Sequence, residues 1–511
     1  MRTVLKGSKA RQDPSPLTVE TRNQRIAGYL LLTLYLCLIV PLTYTHTFWR
    51  DETQAWLVAR ASHSIHGLLR NIRYEGHPPL WYLVLYMISR FTGNPEWMKL
   101  PNLLCSIASA LLIFRSKHVP LWIRAGLILS YYMLFEYALI DRNYMIGLML
   151  LLIAASRIRR HGSADPWVFA ALSLAALTSL PALAVSTGVA AYCIALAQPF
   201  FSLKTRSNTG LIGIAAFTLC CLYAIAATAP PADYSLFPPV AFYRRGLALN
   251  LQQAGHSIAI AYLPNQIWQR GFWNHAAIDS LPPLVAALSG WLLLGLLCLL
   301  FHDRSTRIFF ASTSALIVLI LCVTQVTYLR QVGWLFVVLL LALLLDRPRS
   351  PKDHGLWRNL LLGAILTAQV TAGLFACAVS LRYSFSPSKQ AATYLLQHNL
   401  QNAVIVPVPE FIGSAPIAYL QRPTNYSLAS RQEAPFLLWN RKTNQALFRF
   451  LQLQQLLPSA SPGRPVVVIA MFPLAPWQIA ANRLHLLAAF TGGICAADTY
   501  YLYQAGPALK P

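Results

Sequence analysis

Tyr74-Glu75-Gly76-His77-Pro78-Pro79-Leu80-Trp81-Tyr82-Leu83-Val84-Leu85-Tyr86-Met87-Ile88-Ser89-Arg90-Phe91 is the stretch on which the topology turns. Its apolar part, residues 79–91, gives about 20 Å of helix, against a bilayer hydrocarbon core of about 30 Å. That is too short to cross. It reads as a helix lying in, or dipping into, the outer interface, a depth that suits Trp81 and Tyr82. If it were a full span, every later basic loop would fall on the outer side.

With 79–91 kept at the interface, the Lys and Arg residues sort to one side. The tail 1–26 carries Arg2, Lys6, Lys9, Arg11, Arg22 and Arg25 and stays cytoplasmic. Residues 27–44 span outward and deliver Asp51 and Glu52 just beyond the opposite face. Residues 100–114 return to Arg115 and Lys117. Residues 119–137 go out, and 144–156 come back to Arg157, Arg159 and Arg160. A Pro-broken pair, 167–180 and 181–200, ends at Lys204 and Arg206, and 211–227 go out. Residues 230–283 form a long outer loop with Arg244, Arg245 and Arg270. Then 284–300 go in to Arg304 and Arg307, 308–326 out, 332–345 in to Arg347, Arg349, Lys352 and Arg358, and 360–379 out.

The fold class that follows is an α-helical polytopic membrane protein. It has about eleven spanning helices, juxtamembrane helices in the first outer loop, and a small C-terminal extracytoplasmic α/β domain. The expected divisions are the tail 1–26, a transmembrane domain 27–380 with outer loops 45–99 and 229–283, and an outer domain 381–511. In that last domain 386–399, 444–456 and 476–487 read as helices, and 403–408 and 465–470 as strands. Localisation follows as a multi-pass cell (inner) membrane. The first apolar segment is long and lacks a small-residue cleavage site, so no cleavable signal peptide is expected.

Composition agrees. Of 511 residues 56% are hydrophobic and 11% charged, too little charge to cover a soluble domain. The net charge of +24 sits mostly in short tracts between apolar runs, which fits membrane topology and not nucleic-acid binding. Of nine cysteines only Cys495 lies in the polar tail, which excludes a disulfide framework or zinc spacing. No Gly-rich phosphate loop is present.

Four constellations carry candidate chemistry. Asp51-Glu52 follows the first span among aromatics. Adjacent helix positions point about 100° apart, so one carboxylate can face a cavity while the other packs. A solvated loop turn is the plainer reading. Glu75 and His77 flank Gly76, which permits an unusual backbone angle, at the mouth of the interfacial helix. They are otherwise exposed polar residues at a helix start. Glu136-Tyr137 and Asp141-Arg142-Asn143-Tyr144 lie where one span ends and the next begins. There Arg142 is either a phosphate clamp or half of a structural ion pair. Arg330 starts a span, as an anion partner or as a snorkelling residue. His63 and His66 have i,i+3 spacing, but no third metal ligand is fixed. All four constellations fall on the outer face under a topology read from Lys and Arg alone.

Asp-Glu after the first span, Gly76-His77-Pro78-Pro79-Leu80-Trp81-Tyr82, and Arg-x-Tyr opening a later span resemble the GT-C membrane glycosyltransferases. The likeness is to the polyprenyl-phosphate-sugar-dependent group, which includes protein O-mannosyltransferases, the lipid A aminoarabinose transferase and rhizobial lipopolysaccharide-core transferases. It covers about residues 27–345. It implies Asp51 as general base, Glu52 orienting donor or acceptor, and His77 near the donor phosphate. The remaining substrate-binding candidates are Glu75, Glu136, Arg142, Tyr144 and Arg330. Gln331 departs from the Arg-His often found at that position in the family, so no proton-transfer role is carried to it. The implied partners are a polyprenyl-phosphate-linked sugar, membrane lipids, and a glycan, lipid or protein acceptor. No cofactor is certain, and a divalent metal stays open. The competing readings are a carrier or flippase for a lipid-linked saccharide and a non-catalytic assembly partner. Transporters usually show paired repeats, and none is evident here.

Overall fold

The computed structural model of the protein describes residues 21–163, 165–196, 208–234, 240–264, 268–301, 303–325, 327–346, 355–440 and 464–505. The expected helix 444–456 lies outside them.

Among the described residues, five helices are long and apolar enough to cross a bilayer: Arg22–Thr45, Pro95–Phe114, Gly210–Thr228, Arg304–Thr324 and Leu356–Arg382. Shorter apolar helices, among them Pro166–Ala176, Leu180–Leu196 and Pro283–Cys298, pack with them around one core. The first helix starts at a capping box, with Thr21 and Gln24 each bonding the other's backbone N–H. The stretch 79–91 forms a ten-residue helix, Leu80–Ser89, and its Trp81 and Tyr82 are buried. Helix Arg50–Ala61 precedes it, and the two pack together.

Two expectations are corrected. The span 119–137 is not one helix. It runs as Leu121–Ile128, breaks, and closes in a wide π-type turn, Tyr132–Glu136, with Tyr137 N–H donating to Tyr132 O at 3.0 Å. The stretch 230–283 is not simply a loop: it contains the helical segment Val240–Tyr262, which breaks at Gly246 (φ 74°). Gly255 and Gly290 let that helix touch Pro283–Cys298, since a Cβ on either would collide with the facing backbone. Its end is deep in the bundle. Gln369, halfway along Leu356–Arg382, donates to Ala261 O and Tyr262 O, and the buried Tyr262 hydroxyl donates to Leu335 O. Tyr262 therefore sits inside the protein.

The C-terminal part holds a four-stranded sheet in the order β1 (Val404–Val408), β4 (Val466–Ala470), β6 (Tyr500–Ala505), β5 (Leu484–Phe490), and a hairpin, β2 (Asn425–Ser427) with β3 (Gln432–Ala434). β1 and β4 run parallel, and the other pairings in the sheet are antiparallel. Helix Ser388–Gln397 matches the expected 386–399. The expected helix 476–487 is only Pro476–Ala481. Arg483 takes a left-handed backbone (φ 49°), and the apolar residues that follow form β5 instead.

This part shares a core with the juxtamembrane helices. Trp56, Leu57 and Trp81 pack in one cluster with Leu395, Ile405, Ile417, Val467 and Ile469. Hydrogen bonds lock the same seam: Phe48 N–H to the Tyr419 hydroxyl oxygen, Thr47 OH to Ser386 O, and Arg60 to Gln421 O.

Candidate active site

Helix Arg50–Ala61 is built to separate two adjacent carboxylates. Glu52, its third residue, turns back and accepts the Trp49 N–H at 2.9 Å, closing the first turn. That commits Glu52 to the interior, where it is fully buried. Asp51, one position earlier, points into a cavity of about 810 Å³ between the bundle and the C-terminal sheet domain.

Asp51 meets two arginines there. Arg330 Nη2 donates to Asp51 Oδ2 at 3.2 Å, and Arg142 Nη1 donates to the Asp51 backbone carbonyl. The Arg330 guanidinium lies among the rings of Tyr328 (4.7 Å), Trp49 (5.0 Å) and Trp273 (5.7 Å). Aromatic faces hold a guanidinium flat without neutralising it. Trp273 is edge-on to Trp49 at 4.7 Å, and its indole N–H donates to the buried Glu136 at 3.0 Å. Tyr131 OH bonds the same carboxylate at 2.6 Å.

Gly76 has φ 65°, and this turn directs both of its neighbours into the cavity. His77 Nε2 lies 2.9 Å from Arg142 Nη2. A guanidinium only donates, so Nε2 is the bare nitrogen and the ring proton is on Nδ1. Burial first, then the Arg142 and Arg330 charges, lower the His77 pKa to about 3. Glu75 accepts from Gln54 (2.9 Å) and Tyr82 (3.2 Å), and burial pushes its carboxyl above the ordinary range.

Gln54 ties this arrangement to the C-terminal domain. Its amide nitrogen also donates to Leu437 O at 2.8 Å, and its oxygen accepts from Ser414 OH and Leu437 N–H. Phe411 and Trp439 stack at 6.2 Å on that wall, and Arg50 lies over Phe411 at 4.6 Å.

Of the eight residues expected in a site, the structure brings Asp51, Glu75, His77, Arg142 and Arg330 to the cavity. It does not bring Glu52, Glu136 or Tyr144 there. Glu136 stands behind Trp273, and Tyr144 is buried against Tyr137. Arg142 is not the structural Asp/Glu–Arg pair considered above, since among the described residues its hydrogen bonds go to a carbonyl and an imidazole. His63 and His66 are exposed and lie away from the cavity. Trp273 and Phe411 were missed, because nothing local marks a residue that arrives from hundreds of positions away; Gln54, three residues from Asp51, carries no signal of its own in the sequence.

A helical bundle, two short helices after the first long helix, and a carboxylate–arginine cavity under a small α/β domain make up the fold. The fold is shared with the crystal structure of ArnT from Cupriavidus metallidurans bound to undecaprenyl phosphate. The TM-score is 0.51 at 12% identity, covering 96% of this chain and 100% of that one. Arabinofuranosyltransferase AftD from Mycobacteria aligns at a TM-score of 0.37 and 12% identity, over 95% of this chain and 40% of AftD, too slight a likeness to build on. No protein-family profile and no curated protein sequence matches the chain.

Proposed function

We propose that the protein is a glycosyltransferase that moves a sugar from a polyprenyl-phosphate donor to an acceptor at the outer face of the membrane, with inversion. The observation that carries this reading is the Asp51 carboxylate held 3.2 Å from Arg330 in a cavity that Arg142 also lines. Four arginines (50, 73, 142 and 330) against two carboxylates (51 and 75) line the space, so it attracts an anion. Undecaprenyl phosphate is the ligand bound in ArnT, which supports a carrier of that chemistry here.

The chemistry balances with side chains alone. The donor phosphate takes Arg330 and Arg142 as partners and releases Asp51 from its ion pair. Asp51 accepts the proton of the acceptor hydroxyl while that oxygen attacks the anomeric carbon from the face opposite the phosphate. The carbon–oxygen bond to phosphate breaks, and the two guanidinium groups stabilise the leaving dianion. His77, neutral and bonded to Arg142, positions that arginine. Glu52, buried away from the cavity, acts through the helix it caps.

The sidedness rests on the basic residues. Arg115, Arg157, Arg159, Arg160, Arg304, Arg307 and Arg358 sit at or near helix ends outside the cavity lining, which supports an outer-face cavity. The acceptor meets the wall formed by Phe411, Ser414 and Trp439, where aromatic faces suit a saccharide. Mass spectrometry of envelope glycans from cells with the gene, without it, and carrying Asp51→Asn tests the function. One sugar should be missing from the second and third. Identical glycans in all three would refute it.

A further inference from the structure

The carboxylate that turned away from the cavity ends in an enclosed pocket. His46 lies just past the first helix, Glu52 is on the second, and Asp141 is in the turn before Tyr144–His161. One donor atom from each lies within 4.8 Å of the other two. Exposure is 7%, 0% and 1%. Glu52 is well supplied: it accepts the N–H groups of Trp49 (2.9 Å) and Asp141 (2.6 Å) and faces His46 Nε2 at 3.0 Å.

Asp141 is not. Both its carboxylate oxygens are buried without a hydrogen-bond partner. Asn102, beside it, spends its amide nitrogen on Tyr137 O (3.2 Å) and Ala138 O (2.9 Å), so its own oxygen is buried without a donor as well. Turning that amide over would serve Asp141 but strip both carbonyls. Lys99, the nearby cation, is bonded to Glu96 at 2.5 Å and Tyr44 O at 3.2 Å. Acceptor oxygens thus converge, with an imidazole, on a place that lacks a donor, and two buried carboxylates lack a full counter-charge.

We propose that His46, Glu52 and Asp141 form a binding site for a divalent cation of the zinc class. One imidazole nitrogen and two carboxylates are a donor set that suits zinc, whereas calcium and magnesium favour all-oxygen sites. Side-chain rotation brings the three donor atoms to bonding distance, and the second oxygen of Asp141 or a water completes the shell. The ion is a fastener. Glu52 and Asp141 are each one residue from a cavity residue, Asp51 and Arg142, so one ion fixes the spacing between those two. The site stands on this pocket alone and does not depend on the transferase reading.

The test uses the full-length protein in detergent, freed of metal with a chelator and then desalted. Titration with Zn²⁺, elemental analysis after gel filtration, and the visible spectrum with Co²⁺ count and characterise the ion. One ion per chain is expected, with a raised thermal midpoint, since an ion that binds only the folded state stabilises it. Asp141→Asn and His46→Gln should each weaken binding by about tenfold or more, while His63→Ala, on the exposed surface, should not. No stoichiometric ion on the wild-type protein overturns the proposal even if both variants misfold. So does an ion that is retained undiminished in both.

Discussion

Asp51 and Glu52 are neighbours in the chain and opposites in the fold. Asp51 stands in an open, arginine-lined cavity, with a side chain 31% exposed. Glu52 stands in a closed pocket, fully buried and bonded to two backbone N–H groups and a histidine. The chemical group is the same. The difference is a rotation of about 100° along a helix, fixed because Glu52 caps the first turn. This pair of acids is therefore one cavity-facing group and one buried group, and the cap tells which is which.

The sharpest way to break this comparison is to neutralise each acid in turn. Asp51→Asn should lower transfer by at least about 100-fold, the size of a lost general base, and leave the thermal midpoint in place. Glu52→Gln should do the reverse, costing on the order of 2–3 kcal/mol of stability, while the folded fraction keeps more activity. Thermal scans and initial rates on both proteins decide it, and matching profiles would erase the distinction.

Next in size, Arg330→Ala should raise the apparent KM for the lipid donor by roughly tenfold or more, as expected for a lost charge-assisted contact, and change the acceptor KM little. Equal changes in both would make Arg330 a structural partner of Asp51. Trp439→Ala should act on the other wall, raising the acceptor KM a few-fold while hydrolysis of the donor by water continues. Loss of donor hydrolysis would place Trp439 in the donor half.

The smallest effect expected is none. His77 stays neutral down to about pH 3, so its titration should leave no limb in the rate between pH 5 and 8. The folded pKa lies below the unfolded value of about 6.5, so the unfolded chain binds the proton first. His77 therefore supports folding above about pH 6.5, and that support fades as the pH falls toward 3. A rate limb near pH 6.5 that disappears in His77→Gln would contradict a His77 held neutral.

The same contrast separates what the sequence makes legible. The short helix Leu80–Ser89 follows from the length of its apolar run, and Asp51, Arg142 and Arg330, grouped in the sequence by Lys and Arg placement, meet in one cavity. Helix 240–262 looked like a loop, since Arg244 and Arg245 at its start and the polar run Asn250-Leu251-Gln252-Gln253 hide a segment that packs through Gly255. Glu136 and Tyr144 were read as site residues because they sit at the right depth. Depth alone did not say that Trp273 would come between Glu136 and the cavity. The C-terminal domain read as a separate cap because its strands and helices are self-consistent, whereas its core with Trp56 and Trp81 depends on contacts more than 300 residues apart in sequence.

The central claim is that Asp51 and a lipid phosphate compete for Arg330 in one cavity. Native mass spectrometry of the purified protein with added polyprenyl phosphate tests this directly, because the two obvious variants should move in opposite directions. Arg330→Ala should lose the lipid. Asp51→Asn should hold it at least as tightly as wild type, since its arginine has been freed, yet turn over no donor. Weaker binding in Asp51→Asn, or full binding in Arg330→Ala, would contradict the account.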